Sequence, residues 1–233
     1  MNEEIETYLS ISPNKFGIYL LETKSLKNLY NDELFFNHKK HEINIIILKE
    51  FLDKNIFKIE KLAKKFIENI FVVIENKNIL QVNLGVKKKN YDEFIKKKYI
   101  ENSLTEARDL FIENYHNQTI LHMLINRYLI DGKSYLTIEN EFKTDHLSLE
   151  IQFNSIPNDI IYDFNKVLED YQIRIIKYLD GKYIKNYFNK YKNIEISEMS
   201  HKILNGHNKN EVIIVPKSVK KSAFFEKFFQ LFS

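Results

Sequence analysis

The pattern of apolar and polar residues at the start of the chain is typical of strands. It predicts an antiparallel meander of three strands, at residues 8–11, 16–21 and 29–36. From residue 56 to residue 70 the apolar positions recur three and four apart, as they do on one face of a helix. Two stretches rich in bulky and β-branched residues follow at 71–74 and 80–84, on either side of a polar turn. The first unit is therefore predicted to contain strands, a helix and further strands.

A second set of elements is predicted after a lysine-rich stretch at residues 87–99, where the apolar pattern lapses. Ser103 and Glu106 have the spacing of a capping box, which predicts the start of a helix. Alternation of apolar and polar residues is clearest at 147–153, which predicts a half-buried strand. Pro157 suits the first turn of a second helix, whose apolar stripe runs to residue 171. Shorter apolar runs predict three more strands, at residues 120–125, 128–132 and 173–178.

These elements indicate a mixed α/β (α+β) chain made of two modules and a tail. A helix at 196–204 is predicted to end at Asn205-Gly206, a dipeptide suited to a left-handed cap, and 212–215 is predicted to be a short strand. The second module is described by the order strand, helix, strand, strand. The predicted domains are 1–96, 97–189, a return segment 190–216 that packs on the first domain, and a basic linker with a terminal helix at 217–233.

The composition restricts the classes to which the protein can belong. There is no cysteine, so disulfides, a thiolate nucleophile and a cysteine-ligated zinc site are excluded. The formal net charge is only +3, which gives no reason to expect a nucleic-acid partner. The longest apolar runs, 45–48 and 70–74, are far shorter than the roughly 20 residues of a membrane-spanning helix. The first residues lack the basic and apolar regions of a secretory signal, so a cytoplasmic protein is expected.

The strongest candidate functional feature is residues 223–233. On a helical wheel their apolar side chains occupy one arc, and the polar side chains lie opposite. A helix this short is marginal in water alone, and a phenylalanine-rich face behind a basic linker suits an anionic membrane surface. The alternative is that the helix packs on its own core or on a second subunit. The predicted membrane contacts are Phe224, Phe225, Phe228, Phe229, Leu231, Phe232, Lys217, Lys220, Lys221 and Lys227.

Residues that could carry catalysis or hold a metal are sparse. His38 and His41 flank two lysines, and neither they nor His116 and His122 have a carboxylate at a metal-ligand spacing. No two glycines are adjacent, so the chain lacks the glycine-rich loops that cradle phosphates. The lysines at 87–98 are interrupted by acids, which favours a solvated junction over a nucleic-acid site. We therefore expect no catalytic residue, no metal site and no cofactor.

A run of residues in the second module has a distinctive order: Glu106-Ala107-Arg108-Asp109, then Leu121-His122, then Tyr128 with Asp131-Gly132. This run resembles a segment of FtsA, an actin-like family of bacterial cell-division proteins. In that family a helix with an alanine-arginine pair precedes a leucine-histidine pair and then a tyrosine and an aspartate. The segment lies there in an inserted module that replaces one of actin's subdomains. The order of elements from residue 97 to about 190 is also similar.

Residues near the N-terminus stand where that family has its first phosphate motif, aspartate-isoleucine-glycine-serine-serine-lysine. Ser10 is at the aspartate position, Ser12 at the glycine position and Lys15 at the lysine position. The resemblance thus implies a partial actin-like (ribonuclease H-like) subdomain whose magnesium-associated carboxylate is missing. The chain ends where the family's second lobe would begin, and the family too ends in an amphipathic membrane helix. ATP binding is therefore expected to be lost.

The resemblance implies a non-catalytic adaptor that recruits bacterial division proteins at the inner face of the cell membrane. The inserted module is linked in the family to self-association and to later division proteins, so both are expected here. The family contacts FtsZ through the second lobe, which makes FtsZ the weaker candidate partner. A pilus-assembly adaptor of the PilM type, which shares the actin-like plan, is the alternative within the same class. A degenerate actin-like nucleotide-binding protein and a soluble homodimer are the rivals from other classes.

Overall fold

A computed structural model describes residues 5–36, 43–95, 97–138, 143–191 and 193–212, and the chain forms two compact units. The first unit consists of Met1–Ile79 and Pro157–Asn205, and the second of Leu80–Ile156 and Gly206–Ser233. The strands are β1 (Ile5–Ser12), β2 (Lys15–Glu22), β3 (Lys27–Phe35), β4 (Asn69–Ile74), β5 (Leu80–Phe94), β6 (Gln118–Ile130), β7 (Lys133–Tyr135), β8 (Lys143–Pro157) and β9 (Arg174–Asp180). The helices are α1 (Ile45–Ala63), α2 (Lys97–Asn114), α3 (Asn158–Glu169), α4 (Gly181–Tyr187) and α5 (Ile196–Leu204).

The first unit is built on a five-stranded sheet with the strand order β3-β2-β1-β4-β9. The strands β1, β2 and β3 form an antiparallel meander, with Pro13-Asn14 as the turn between β1 and β2. The strands β4 and β9 continue the sheet, with β4 parallel to β1 and β9 parallel to β4. This order and these directions are those of the ribonuclease H-like sheet in the lobes of actin-like proteins. The predicted α/β fold with a partial actin-like subdomain is therefore confirmed.

Helices cover both faces of the first sheet. Neighbouring residues of a strand point to opposite faces, so one strand contacts both layers of helices. On β2, Phe16 packs against Phe51 of α1, with ring centroids 6.1 Å apart. Tyr19, on the opposite face of β2, belongs to a cluster with apolar side chains of α4 and α5. Helix α3 lies beside α1, where Asp170 at its end pairs with Lys49 of α1 at 2.7 Å. The sheet is thus the middle layer of three.

The second unit is built on a sheet with the strand order β5-β8-β6-β7. The turn between β6 and β7 is Asp131-Gly132, where both residues have positive φ angles of 46° and 81°. A two-residue hairpin turn requires this backbone, and Asp-Gly adopts it readily. The core of the unit combines side chains of α2 with inward residues of the sheet, among them Leu104, Ala107, Phe111, Met123, Tyr128, Leu149 and Phe153.

The structure differs from the sequence predictions at several element boundaries. Helix α1 begins at Ile45, well before residue 56, because the side chain of Asn44 caps it by accepting from two backbone amides. Helix α2 begins at Lys97, so the predicted capping box at Ser103 and Glu106 is wrong. Ser103 lies inside the helix, where its hydroxyl donates to the carbonyl of Tyr99 at 3.0 Å. The two strands predicted between residues 120 and 132 form one continuous strand, β6.

The bounds of the two units also differ from the predicted domains 1–96 and 97–189. Strand β5 begins at Leu80 and pairs with β8, which places it in the second sheet. Helix α3 and strand β9 lie in the first unit, because β9 pairs with β4. Both differences arise from strand pairings between residues that are distant in sequence. In the resulting chain order, the second unit is inserted between β4 and α3.

The predicted terminal helix lies outside the described residues, as does most of the predicted strand 212–215. Within the described part of the chain, no helix combines the length and the apolar character that crossing a bilayer requires. The predicted membrane contacts that lie outside it are Lys217, Lys220, Lys221, Phe224, Phe225, Lys227, Phe228, Phe229, Leu231 and Phe232.

Candidate functional site

A cavity of about 410 Å³ lies in the first unit beside the turn between β1 and β2. Ser10 and Ser12 of β1 and Glu75 after β4 line it, so it sits at the carboxyl ends of two adjacent parallel strands. Ligands of open α/β sheets bind in this position. The other lining residues are Pro13, Asn14, Lys15, Tyr19, Glu33, Phe35, Lys185, Ile194, Glu195, Ile196 and Met199.

The residues at the place of the phosphate motif all line this cavity. Ser12 uses its hydroxyl within the hairpin, where it donates to the carbonyl of Lys15 at 2.9 Å. Ser10 is buried and faces Gly17 across the β1–β2 ladder. The structure therefore brings the predicted residues Ser10, Ser12 and Lys15 together at one cavity.

Both lysines that line the cavity are held by glutamates. Lys15 Nζ lies 2.7 Å from Glu33 Oε1, and Lys185 Nζ lies 2.5 Å from Glu75 Oε1. Lys15 also lies over the ring of Phe35, 4.8 Å from its centroid. With Glu195, the charged side chains around the cavity are two lysines and three glutamates, which sum to a formal charge of −1. The cavity therefore presents neutralised cations and a slight excess of negative charge.

Tyr19 completes the environment of Glu33, because its phenol donates to the Glu33 carboxylate. A Cβ at Gly17 would lie 2.6 Å from the Tyr19 hydroxyl, so a larger residue at this position would collide with the phenol. Burial alone would raise the pKa of Glu33, but the hydrogen bonds from Lys15 and Tyr19 and the charge of Lys15 bring this pKa below its ordinary value. Burial, with the hydrogen bond to Glu33, raises the pKa of Tyr19. Glu33 is therefore ionised at neutral pH and keeps Lys15 neutralised.

The carboxylate at the end of β9 caps the N-terminus of helix α4. Asp180 is buried, and its Oδ1 accepts from the backbone amides of Lys182 and Tyr183 at 2.9 and 3.2 Å. This is the geometry of an N-cap, which satisfies amides that the helix itself leaves without partners. Among the described residues, no three acidic, histidine or cysteine side chains are placed to hold a metal ion.

A buried histidine–glutamate contact in the second unit joins β6 to residues 206–212, which lie in this unit although the segment 190–216 was predicted to pack on the first domain. Nδ1 of His122 lies 2.7 Å from Oε1 of Glu211, and the two side chains are 0% and 4% exposed. The backbone around the pair is also bonded, because Val212 donates to Met123 and Ile125 donates to Asn210, both at 2.8 Å. The sequence pattern singled out His122 but not its partner, which lies 89 residues further along the chain.

The remaining residues of the FtsA-like run are spread over the second unit instead of forming one site. Ala107 and Tyr128 belong to the core, and Leu121 is buried as well. Asp131 and Gly132 form the β6–β7 turn, where Asp131 Oδ1 accepts from the backbone amide of His146 at 3.0 Å. Of the remaining residues of α2, Glu106 pairs with Lys88 of β5 at 2.5 Å, and Arg108 pairs with Asp109 at 2.9 Å.

No protein-family model matches the chain, and no curated protein matches its sequence. Several solved structures resemble it. One is the PilM–PilN type IV pilus biogenesis complex, with 8% identity and a TM-score of 0.49 over 79% of this chain and 50% of that one. Another is the cytoplasmic domain of EpsL, an inner membrane component of the type II secretion system of Vibrio cholerae, with 6% identity and a TM-score of 0.41 over 78% and 59%.

A third similar structure is a Bacteroides thetaiotaomicron protein with an actin-like ATPase fold and unknown function, with 13% identity and a TM-score of 0.32 over 82% of this chain and 58% of that one. The chain spans between 50% and 59% of the length of these three proteins. At these identities the likeness concerns the fold alone. The actin-like character of the first unit rests on its own strand order and strand directions.

Proposed function

We propose that this chain is a non-catalytic adaptor that works at the cytoplasmic face of a bacterial membrane and recruits other proteins there. The observation that carries the proposal is the charge balance of the cavity in the first unit, where Glu33 holds Lys15 and Glu75 holds Lys185. The cavity lies at the strand ends, where a nucleotide could bind, but both lysines that line it already form ion pairs with glutamates.

The charges around this cavity disfavour ATP. A triphosphate is strongly anionic and the lining has a formal charge of −1, so a phosphate would have to displace a glutamate from each lysine. Ser10 stands where the family has its magnesium-associated carboxylate, and Mg²⁺ is usually held in proteins through carboxylates and phosphate oxygens. Loss of ATP binding, and with it of nucleotide turnover, follows from these two features.

Titration of the full chain with Mg-ATP is expected to give only the heat of dilution. The reason is that neither lysine of the cavity is available to a phosphate without breaking an ion pair. Isothermal calorimetry checks this, with magnesium chloride alone as the control titration. A saturable binding isotherm with Mg-ATP would contradict the proposal and favour a degenerate nucleotidase.

The membrane part of the proposal rests on the sequence of residues 223–233 and on the lysines before them. The apolar face of this segment contains five phenylalanines and a leucine. Partial burial of each aromatic side chain stabilises the bound state by about 1–2 kcal/mol, and each nearby lysine adds about 1 kcal/mol on an anionic surface. The sum is sufficient for reversible binding, even after the cost of ordering a short helix.

Replacing Phe228 and Phe229 with glutamate is expected to weaken binding to anionic vesicles by at least about tenfold, because two aromatic contacts are lost and two like charges are added. Co-sedimentation of the full chain with vesicles measures this. The matched control is Gln230→Glu with Ser233→Glu, which adds the same charge to the polar side of the wheel. Equal pelleting of the wild-type chain and the Phe228→Glu/Phe229→Glu variant would refute the terminal anchor.

Within this function, the resemblance of the second unit to FtsA favours recruitment of division proteins, together with self-association. A PilM-like role in pilus assembly is the second candidate, since both plans combine an actin-like lobe with an inserted module. The chain has such an insertion between β4 and α3. A fluorescent fusion in cells separates the two settings, because a division adaptor lies at midcell and a pilus-assembly adaptor of this type lies at the poles.

A further inference from the structure

We infer that the outer surface of α1 is a second contact with an anionic lipid surface, separate from the C-terminal segment. The helix buries Leu48, Phe51, Leu52, Asn55, Ile56 and Ile59 against the first sheet. Phe57 lies opposite these residues, at the centre of the outward face, and is 71% exposed. We call the exposed group Phe57, Lys58, Lys61, Lys64, Lys65 and Phe66 the α1 patch. The inference rests on the proposed membrane role and extends it to the folded first unit.

The outward face of α1 has two halves of different charge. Ile46, also 71% exposed, lies in the first half, where Glu50 and Asp53 are balanced by Lys49 and Lys54, and both of these lysines form ion pairs. The second half contains the four lysines of the α1 patch, and the acidic residue among them is Glu60, whose carboxylate accepts from the backbone amide of Ile67 at 3.1 Å. None of the four lysines forms an ion pair with a residue that the structure describes.

Large apolar side chains lie among these cations. Phe66 follows the end of the helix and is 82% exposed, and Leu62 of the last turn is also exposed. An isolated exposed side chain would need no explanation, but here two exposed phenylalanines and an exposed leucine lie within residues 57–66, together with four exposed lysines. Lysines around exposed aromatic and aliphatic side chains are typical of helices that lie in the membrane interface.

The chemistry of the α1 patch fits lipid better than the other anionic partners. Peptides commonly dock in grooves or along sheet edges, whereas this surface is the outer side of a helix. Nucleic acid would use the lysines and could stack on the phenylalanines, but it offers no contact for Leu62. An anionic leaflet satisfies both parts, because its headgroups attract the lysines and its acyl region accepts the apolar side chains.

The test uses the full chain in two backgrounds, wild type and Phe228→Glu/Phe229→Glu, so that the two contacts are measured separately. The vesicles contain phosphatidylcholine alone or equal parts of phosphatidylcholine and phosphatidylglycerol. The first variant, Lys61→Glu/Lys64→Glu, is matched by Lys24→Glu/Lys190→Glu, which reverses two exposed lysines elsewhere in the first unit. The second variant, Phe57→Ser/Phe66→Ser, is matched by Ile46→Ser, which removes an apolar side chain as exposed as Phe57 from the charge-balanced first half of α1.

In the Phe228→Glu/Phe229→Glu background, residual binding to the mixed vesicles is expected to fall about tenfold or more with Lys61→Glu/Lys64→Glu and severalfold with Phe57→Ser/Phe66→Ser. The two matched controls are expected to bind like their background. Binding by the α1 variants that equals their background would overturn the inference and leave the terminal anchor standing. Binding to duplex DNA that depends on the same lysines, in place of binding to vesicles, would also overturn it.

Discussion

Replacing Phe111 with alanine is expected to lower the free energy of unfolding of the second unit by about 3–5 kcal/mol. Phe111 is 0% exposed in the core of that unit. Its ring stacks on Phe153 of β8 and on Tyr115 after α2, with centroids 4.7 and 4.9 Å away. Alanine would leave a cavity between the helix and the sheet and remove both stacking contacts, each of which contributes about 0.5–1.5 kcal/mol beyond its buried area.

The measurement is urea unfolding followed by far-UV circular dichroism, since the chain has no tryptophan to report by fluorescence. Two compact units can unfold in two transitions, so the shift is expected in one transition and not in the other. Ile112, the next residue, is 49% exposed, and Ile112→Ala is the control with an expected cost of about 0.5 kcal/mol or less. A similar cost for both substitutions would contradict the packing described for α2.

The local pattern of apolar and polar residues was sufficient to predict those helices and strands that have one buried and one exposed face. The strand predicted at 147–153 lies within β8, and the helix predicted at 196–204 has the bounds of α5. In both elements the residues of one face are apolar and buried, so the sequence shows the strand period of two or the helix period of 3.6. The three strands of the meander were predicted from short apolar runs between turn residues, and they lie within or close to β1, β2 and β3, although β1 and β2 are buried on both faces and do not alternate.

Strand β5 shows why other parts were not predictable. The residues from Leu80 to Phe94 form one long strand, although the apolar pattern lapses at Lys87. Val86 faces Leu149 across the ladder and belongs to the core, while Lys87 and Lys89 are exposed. β5 stands at the end of the strand order, where charged side chains on the outward face are common. Its partner β8 lies far along the chain, since Phe94 pairs with Lys143 and Leu80 pairs with Ser155, and local sequence does not reveal that pairing.

The candidate site shows the same limit. Lys15 was predicted from its place in a motif, but the groups that set its charge balance come from other elements. Glu33 is contributed by β3, and Glu75 follows β4. Lys185 lies on α4, 110 residues after its partner Glu75. Each of these residues looks like an ordinary surface charge in the sequence. The antiparallel pairings of β1, β2 and β3 and the parallel pairings of β1 with β4 and of β4 with β9 bring them to one cavity.

Replacing Glu211 with alanine is expected to lower the free energy of unfolding by about 3 kcal/mol, because it leaves the buried imidazole of His122 without its carboxylate. The pair is enclosed, so solvent does not replace the lost partner. Glu211→Gln is expected to cost less, since the amide oxygen can still accept a hydrogen bond from Nδ1. Urea unfolding compares the two variants, and the double variant His122→Leu/Glu211→Leu is expected to be close to wild type if the apolar pair packs well.

The same pair lies where the segment after α5 joins the second unit, and hydrogen exchange tests its role there directly. The amides of Val212 and Ile125 are bonded across the junction between the returning segment and β6. In Glu211→Ala their exchange is expected to accelerate more than that of amides between β5 and β8, because the segment detaches before the sheet unfolds. Uniform acceleration across the second unit would show that the pair stabilises the unit as a whole and does not act as a local clamp. Unchanged exchange and a cost below about 1 kcal/mol would show that the buried pair contributes little to either.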